Sequence, residues 1–330
     1  MKKALIIGIS GQDGAYLSQL LLNKNYIVTG ITRGLGSLNL KGLRYLKVDA
    51  QVAVKEIPYT EKHLLIKLLE ETQPNEIYNL ASQSSVGLSF TKAHETVSYN
   101  ILSVLNWIEA IKEVNSKIKF YQASSSEMFG NISKDKLPLK ENLIFHPASP
   151  YGVSKAAAHW LTVNYREANN MFCSCGILFN HESPLRGENY VVKKIINSAI
   201  KIKLGLKKDA IKVGNTSIKR DWGYAPKYVE AMWLMLQHHQ PDDFIICSGN
   251  VMSLNDLIQK VMDELNLEKD KYIVSDTSLL RPVDLEEIYG DNTKAKTTLD
   301  WNYSMTNNDL IKQLIKDEEQ FIKWELAQKG

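Results

Sequence analysis

Short apolar runs alternate with longer segments of helical periodicity through the first half of the chain. Each run is aliphatic and bounded by turn residues, as expected of a strand, and the segments between runs have the length of helices. Strands flanked by helices are buried on both faces, so the pattern predicts an α/β fold with a doubly wound, mostly parallel sheet. The predicted strands lie at about 4–9, 26–32, 76–81, 118–123 and 173–179, and two of the predicted helices at 94–114 and 150–169.

The pattern changes after about residue 182, where loops with isolated charges replace the regular alternation. A strand-like run at 244–249 is predicted to rejoin the first sheet. We therefore predict a large domain over 1–180, rejoined by 220–249, and a smaller C-terminal α/β domain from 181–219 and 250–330. Further helices are predicted at 190–205, 226–239, 254–266 and 307–326, and the last two should cover the carboxyl edge of the sheet.

A glycine-rich turn follows the first predicted strand. Gly8, Gly11 and Gly14 have the spacing G-x-x-G-x-x-G, and a segment of helical period follows them. Gly8 permits a tight turn and Gly11 lets the backbone approach a pyrophosphate, whose charge the helix N-terminus favours. The context of strand, turn and helix predicts a dinucleotide-binding site.

The end of the second predicted strand bears on the choice of dinucleotide. Thr32-Arg33 stands where an acidic residue would hold the ribose hydroxyls of NAD. Because an arginine suits a 2′-phosphate, the sequence favours NADP. The alternative is that Arg33 is only a solvated residue at the end of a strand.

Two short motifs bring candidate catalytic groups together. QASSSEMFG contains Ser125 and Glu127 at the end of a predicted strand, and SPYGVSK contains Tyr151 and Lys155 one helical turn apart. The ammonium of Lys155 is predicted to lower the pKa of the Tyr151 phenol and make it a base. Tyr-x-x-x-Lys alone arises by chance in many helices, so this hypothesis depends on the glycine turn upstream.

Composition narrows the class of protein. The 330 residues are 44% hydrophobic and 23% charged, with a net charge of +3, and the basic residues are spread along the chain. This balance does not indicate a nucleic-acid-binding protein. The chain has no apolar run of membrane-spanning length and passes directly into a predicted strand, so we expect a cytoplasmic protein without a membrane partner. Cys173, Cys175 and Cys247 are predicted to be buried thiols, and no metal site is predicted.

Eight segments together resemble the GDP-mannose 4,6-dehydratases, a branch of the extended short-chain dehydrogenase/reductase family with a Rossmann-like fold. The likeness spans nearly the whole chain, and the fifth and sixth segments are the most specific to that branch. The segments are GISGQDGAYL, NLASQSSVGLSF, QASSSEMFG, SPYGVSK, ILFNHESPLRGE, RDWGYAPKYVEAMW, QPDDFIICSG and RPVDLEEIYGD.

The resemblance implies a redox-neutral reaction that converts GDP-mannose to GDP-4-keto-6-deoxy-mannose with loss of water and with NADP as cofactor. It implies that Tyr151, assisted by Lys155, removes the proton of the C4 hydroxyl as hydride leaves C4. Glu127 would then take the C5 proton. Glu127 and Ser125 would assist departure of the C6 hydroxyl before hydride returns to C6.

Further contacts carry over by matching motif. The implied cofactor contacts are Gly8, Gly11, Gln12, Asp13, Gly14, Arg33, Asp49, Ala50, Leu80, Ser84, Tyr151, Lys155, His181 and Arg186. The implied substrate contacts are Ser85, Asn180, Glu188, Lys194, Arg220, Arg281 and Asp284. Arginine suits the two phosphates of GDP because its fork matches phosphate oxygens. The alternative for Arg220 and Arg281 is an ordinary ion pair with Asp221 or Asp284.

This sequence departs from the family pattern at several positions. Ser125 replaces a threonine and keeps its hydroxyl, and Asp284 is shorter than the usual glutamate. Gly34 and Leu185 stand where the family has arginines that help to join subunits, so we predict a homodimer or a homotetramer. Ser85 replaces a histidine beside the sugar, which leaves GDP-manno-heptose as an alternative substrate.

Two other classes of function stay open at this point. A reductase or epimerase of the same superfamily would use Tyr151 and Lys155 but would not need Glu127. A nucleotide-binding protein without catalysis would need none of the three. Ser125-x-Glu127 together with Tyr151-x-x-x-Lys155 favours the dehydratase.

Overall fold

Three sheets form the protein, whose computed structural model describes residues 1–34 and 39–328. The strands are β1 (Lys3–Ile7), β2 (Ile27–Thr32), β3 (Ala53–Glu56), β4 (Glu76–Asn79), β5 (Lys119–Ser125), β6 (Cys173–Leu178), β7 (Asn180–Glu182), β8 (Ile211–Val213), β9 (Lys219–Tyr224), β10 (Asp243–Ile246), β11 (Val251–Ser253), β12 (Ile273–Ser275) and β13 (Glu287–Ile288). The helices are α1 (Gln12–Asn23), α2 (Lys41–Tyr45), α3 (Lys62–Thr72), α4 (Val86–Thr91), α5 (Ala93–Asn115), α6 (Pro150–Asn169), α7 (Val191–Lys203), α8 (Ala225–Gln237), α9 (Leu254–Leu265), α10 (Lys269–Tyr272), α11 (Thr293–Leu299) and α12 (Asn307–Ala327).

The large sheet has seven parallel strands in the order β10-β6-β5-β4-β1-β2-β3. The chain reverses its direction of progress across the sheet between β1 and β4, and such a switch point leaves a crevice at the carboxyl ends of the strands. The predicted doubly wound parallel sheet is therefore confirmed. The sequence pattern missed β3, because this edge strand is only partly buried and has no continuous apolar run.

Apolar cores lie on both faces of this sheet. On one face α1, α8 and α11 pack against the strands through side chains such as Leu17, Met232 and Leu299. On the other face α3 and α5 contribute side chains such as Leu65 and Trp107. Burial on both faces is what the aliphatic strand pattern requires.

The smaller region is built around β9, which pairs with β7, β11 and β13. Helices α7, α9 and α12 close a separate apolar core beside it. The predicted return of 220–249 to the large sheet is wrong for 220–224, because these residues form most of β9. The carboxylate of Asp221 accepts hydrogen bonds from the backbone N–H groups of Ser248 and Gly249, which ties β9 to the turn between β10 and β11. Only α8 and β10 return to the large sheet, and the domain division itself stays a prediction.

One residue joins the two regions where the cavity lies. Phe179 is the only residue between β6 of the large sheet and β7 of the smaller one, and its side chain is buried. Its backbone N–H donates to the carbonyl of Ile246 in β10. The polar residues of β7 are therefore held directly beyond the carboxyl edge of the large sheet.

The three cysteines are buried free thiols, as predicted. Across residues 1–34 and 39–328, none of the helices has both the length and the apolar character needed to cross a membrane.

Candidate active site

The glycine turn has the geometry that its spacing predicts. Gly8 has a φ of +91°, which side-chain-bearing residues rarely adopt, and a Cβ on Gly14 would lie 2.5 Å from the carbonyl oxygen of Gly8. A Cβ on Gly11 would have a single near neighbour, Gly8 O at 3.4 Å. Gly11 therefore presents bare backbone to open space at the start of α1.

Ser125 and Glu127 lie at the carboxyl end of β5, at the crevice of the sheet. The chain turns there into a short 3-10 segment, Ser126–Met128, and the Ser125 hydroxyl caps it. Burial raises the pKa of the Glu127 carboxyl, and Arg220 and Arg281 oppose that rise. A carboxyl with a raised pKa is suited to taking up a proton and giving it back.

Gly152 lets α6 approach this turn closely. A Cβ at Gly152 would lie 2.7 Å from the carbonyl oxygen of Glu127, so any larger residue would push the helix away. The helix begins at Pro150, and the Ser149 hydroxyl accepts a hydrogen bond from the Gly152 N–H at 3.0 Å. This start places Tyr151 against the Ser125–Glu127 turn.

The pKa of Tyr151 is raised in the protein by itself, and the expectation of a lowered value is wrong in direction. Burial raises the pKa of the Tyr151 phenol, and the groups that act in the opposite direction are Ser125 and Arg186. The ammonium of Lys155 instead donates to the carbonyl of Ala123 at 2.9 Å and lies 5.8 Å from the centroid of the Tyr151 ring. Burial lowers the pKa of Lys155 to about 8. The spacing in the sequence showed that Tyr151 and Lys155 share a helix face, but it did not show that both side chains are buried.

A cavity of about 610 Å³ brings most of the predicted site residues together. It extends from the carboxyl edge of the large sheet to the smaller region. The predicted residues that line it are Asp13, Leu80, Ser84, Ser85, Ser125, Glu127, Tyr151, Lys155, Asn180, His181, Arg186, Lys194, Arg220 and Arg281. A second cavity of about 390 Å³ adjoins the glycine turn, and the predicted residues that line it are Gly11, Gln12, Ser84, Arg186 and Glu188.

Arg220 is a buried cation in the wall of the larger cavity. Its guanidinium lies 3.3 Å from an oxygen of Asp284, which also lies 3.8 Å from Arg281. The ion pair proposed as the ordinary alternative is thus present with Asp284, while both arginines also line the cavity. Burial lowers the pKa of Lys194, a third cation on the same wall. The part of the cavity lined by these three cations is suited to an anionic ligand.

Asp13 and His181 meet each other rather than pointing separately at a ligand. His181 Nε2 lies 2.9 Å from Asp13 Oδ2, and the side chain of Gln12 donates to the carbonyl of His181 at 3.1 Å. The Ser183 hydroxyl donates to Gln12 at 2.7 Å. These hydrogen bonds connect the glycine turn to β7 and to the loop that carries Arg186.

Arg33, Asp49 and Ala50 are not among the residues that line either of these cavities. The Arg33 guanidinium is centred 5.1 Å from the middle of the Tyr99 ring, at the end of β2. Asp49 and Ala50 are exposed in a short 3-10 turn before β3. Their contact with a cofactor stays a prediction.

Sequence reasoning missed two residues of the site. The Tyr190 and Ser84 hydroxyls are hydrogen-bonded at 2.7 Å, and the guanidinium of Arg186 lies 3.9 Å from the centre of the Tyr190 ring. Glu182 is buried in the cavity wall, and its Oε2 has no hydrogen-bond partner among the described residues. Nothing in the sequence distinguished them from neighbouring polar residues of the loop.

Potential metal ligands meet away from this cavity. His159, Cys175 and Asp243 bring their ligand atoms within 4.8 Å of one another. Both carboxylate oxygens of Asp243, however, accept hydrogen bonds from Arg166 at 2.8 Å. The guanidinium already neutralises the carboxylate, so this cluster is better described as a buried ion pair with neighbours.

The strand order, the glycine turn and the Ser-x-Glu and Tyr-x-x-x-Lys pairs define an extended short-chain dehydrogenase/reductase. A family model described as GDP-mannose 4,6 dehydratase matches residues 5–314. The chain belongs to the GDP-mannose 4,6-dehydratase family.

Curated relatives of that family align over almost the full chain. The GDP-mannose 4,6 dehydratase of Homo sapiens is 39% identical over 97% of this chain and 92% of its own length. GDP-mannose 4,6 dehydratase 2 of Arabidopsis thaliana is 39% identical over 98% of this chain and 88% of its own. The GDP-mannose 4,6-dehydratase of Yersinia enterocolitica is 37% identical over 98% of this chain and 95% of its own length.

Solved structures share the fold at lower identity. The dTDP-glucose 4,6-dehydratase of Bacillus anthracis, in complex with NAD, has a TM-score of 0.84 and 18% identity, and the match covers 98% of both chains. RMD from Pseudomonas aeruginosa, complexed with NADPH, has a TM-score of 0.78 and 23% identity over 97% of this chain and 99% of its own.

Proposed function

We propose that this protein converts GDP-mannose to GDP-4-keto-6-deoxy-mannose as an NADP-dependent 4,6-dehydratase. The observation that carries the proposal is the placement of Glu127 and Tyr151 in one cavity, on a turn and a helix held together at Gly152. A reductase or epimerase would use Tyr151 and Lys155 but would not need Glu127. The names of the full-length relatives support GDP-mannose as the substrate.

Two residues of the protein carry out the proton transfers, Tyr151 at the C4 hydroxyl and Glu127 at C5 and at the departing C6 hydroxyl. Tyr151 takes the proton of the C4 hydroxyl, and Lys155 and Arg186, which line the same cavity, supply the positive charge that its phenolate form requires. Glu127 takes the proton from C5, which the C4 ketone has made acidic. The same carboxyl, now protonated, gives a proton to the departing C6 hydroxyl, and its raised pKa suits this return. Ser125 holds the turn in place.

The residues present fit a dinucleotide cofactor. Gly11 begins α1 without a side-chain cap and presents bare backbone to the second cavity, so the first amide N–H groups of the helix can hold a pyrophosphate. When bound, the nicotinamide supplies hydride acceptance at C4 and hydride return at C6. Structural relatives in complex with NAD or NADPH support a nicotinamide cofactor, and Arg33 at the end of β2 favours NADP.

The GDP portion fits the cationic part of the larger cavity. Arg220, Arg281 and Lys194 supply positive charge there for the two phosphates. Asn180 at the start of β7 lines the same cavity. We propose a cytoplasmic homodimer or homotetramer, and this assembly rests only on the sequence departures at Gly34 and Leu185.

A GDP-manno-heptose substrate has weaker support. It depends on Ser85 alone, and the Ser85 hydroxyl caps α4 by accepting a hydrogen bond from the Leu88 N–H at 3.2 Å. This contact gives the serine a structural reason to be present.

The proposal is tested by incubating the purified protein with GDP-mannose and catalytic NADP and measuring the mass of the nucleotide sugar. We expect a product lighter by one water molecule, with no net change in NADPH absorbance. A product of unchanged mass with altered stereochemistry, or stoichiometric reduction of NADP, would overturn it in favour of an epimerase or a dehydrogenase.

A further inference from the structure

The two cavities of the site share part of their walls. The cavity of about 390 Å³ adjoins Gly11, and the cavity of about 610 Å³ contains Tyr151. Within the described part of the chain, the residues that line both cavities are Ser84, Arg186 and Tyr190. A dinucleotide with its pyrophosphate at Gly11 and its nicotinamide near Tyr151 has to extend through both cavities, so it has to pass these three residues.

The three shared residues contact one another. The Ser84 and Tyr190 hydroxyls are hydrogen-bonded at 2.7 Å, and the Arg186 guanidinium lies 3.9 Å from the centre of the Tyr190 ring. Ser84 follows β4 of the large sheet, and Tyr190 directly precedes α7 of the smaller region. The hydrogen bond therefore joins the two regions of the protein where the two cavities adjoin.

The loop that carries Ser84 is held on both sides of this residue. The backbone N–H of Gln83 donates to the side chain of Asn100 at 2.8 Å. The backbone N–H of Ser85 donates to the side chain of Gln83 at 2.7 Å. Ser84 itself is exposed, so its hydroxyl is a fixed and accessible partner for Tyr190.

Tyr190 belongs to a more exposed segment. Residues 187–189 are exposed, and the Tyr190 N–H donates to the carbonyl of the residue three positions earlier at 3.0 Å, which closes a turn. The glycine turn contributes Gly11 to one cavity and Asp13 to the other, so it forms a wall common to both. A ligand that follows this wall passes the hydrogen bond between Ser84 and Tyr190.

We propose that Tyr190 retains the cofactor, through a hydrogen bond to Ser84 that opens to admit the dinucleotide and closes across it. This inference rests on the proposed function, because a redox-neutral dehydratase must keep one cofactor bound from hydride removal at C4 to hydride return at C6. Loss of the cofactor between these steps would leave the sugar oxidised. Arg186 stacks on the Tyr190 ring and restrains its plane.

The test measures how fast the cofactor leaves, without using catalysis. NADPH and NADH are each bound to the full chain, and dissociation is followed in a stopped-flow instrument by nicotinamide fluorescence after mixing with excess oxidised cofactor. Tyr190→Phe removes the hydroxyl but keeps the ring. Dissociation should become about two- to tenfold faster, which is the effect of losing one neutral hydrogen bond. Association should be no slower than in the wild type, since the same bond has to open for entry.

Matched variants show whether the hydrogen bond itself causes the effect. Tyr272→Phe, on α10 and in the wall of neither cavity, should change neither rate. Ser84→Ala removes the same bond from the other region of the protein. Adding Tyr190→Phe to Ser84→Ala should not speed dissociation further, because two residues that share one interaction do not have additive effects.

Three results would overturn the inference. They are dissociation from Tyr190→Phe within twofold of the wild type, additive effects in the double variant, and a wild-type protein that binds neither NADPH nor NADH. Failure of the proposed function is seen separately. If the wild-type protein binds the cofactor but leaves GDP-mannose unchanged, the dehydratase proposal fails, while the dissociation rates still decide the role of Tyr190.

Discussion

The hydroxyl of Ser125 accepts a hydrogen bond from the backbone N–H of Glu127 at 3.2 Å. The two candidate catalytic residues therefore belong to one capped turn, and the serine orients the backbone that carries the carboxyl. A threonine at this position would keep the same acceptor. The turn explains why the two residues are separated by only one position in the sequence.

Glu127→Gln should abolish water loss from GDP-mannose while NADP binding is retained, because an amide cannot take the C5 proton. Mass spectrometry of the nucleotide sugar measures the loss, and Glu264→Gln on the exposed face of α9 is the control. Undiminished formation of the dehydrated product would refute the role of Glu127.

Arg33 should give NADP a preference over NAD of at least about tenfold, or roughly 1.4 kcal/mol, because its guanidinium rewards a 2′-phosphate. Calorimetric titration with each cofactor measures the preference, and Arg33→Ala should reduce it. Arg44→Ala removes the same charge from an exposed position on α2 and should leave the preference for NADP intact. Equal affinities in the unmodified protein would contradict this assignment.

Activity should decline as the pH rises through about 8, since burial lowers the pKa of Lys155 to that value. Lysine loses its positive charge on the alkaline side of its pKa, so the support it gives to the phenolate of Tyr151 is present below pH 8 and lost above it. The pH profile of kcat/KM measures this limb. In Lys155→Arg the side chain keeps its charge over the whole pH range, so the alkaline decline of kcat/KM should be absent. A decline that persists in this variant would show that another group titrates.

A buried ion pair between α7 and α12 should be important for stability. Lys193 Nζ donates to both carboxylate oxygens of Glu318 at 2.6 Å, and Asn197 donates to the same carboxylate at 2.6 Å. Glu318→Leu leaves the buried Lys193 ammonium without its carboxylate partner. The free energy of unfolding, measured in urea, should fall by about 3–5 kcal/mol. Adding Lys193→Met to that variant should recover most of the lost free energy of unfolding, because no unpaired charge is then left buried. A double variant as unstable as the single one would show that packing, not the unpaired charge, causes the effect.

Ser85 provides a test of sugar size. If its small side chain leaves space beside C6, Ser85→His should change the ratio of kcat/KM for GDP-mannose and GDP-manno-heptose by about ten- to two-hundredfold. Kinetics with both sugars in the native protein and the variant measure this ratio. Ser85→Ala is the control, because it removes the cap of α4 without filling space. An unchanged ratio in Ser85→His would leave capping as the role of the serine.

The sequence predicted those parts of the structure that depend on local pattern. Glycines at fixed spacing, aliphatic strands and the helix that begins at Pro150 all obey local steric rules, and the structure contains them where they were expected. The pKa of Tyr151 was predicted in the wrong direction because burial depends on the whole fold. The contact between Asp13 and His181 joins residues that are far apart in the chain, and no local pattern records such a contact.

Phe179 also limits how the cavity can change in width. A linker of many residues between two sheets would let them swing apart, but a single buried residue between β6 and β7 has only its own two backbone torsions to turn. Relative movement of the two sheets at this connection therefore depends on the backbone torsions of Phe179. In the proposed reaction C4, C5 and C6 of one sugar all take part, within a cavity between two sheets that this single residue connects.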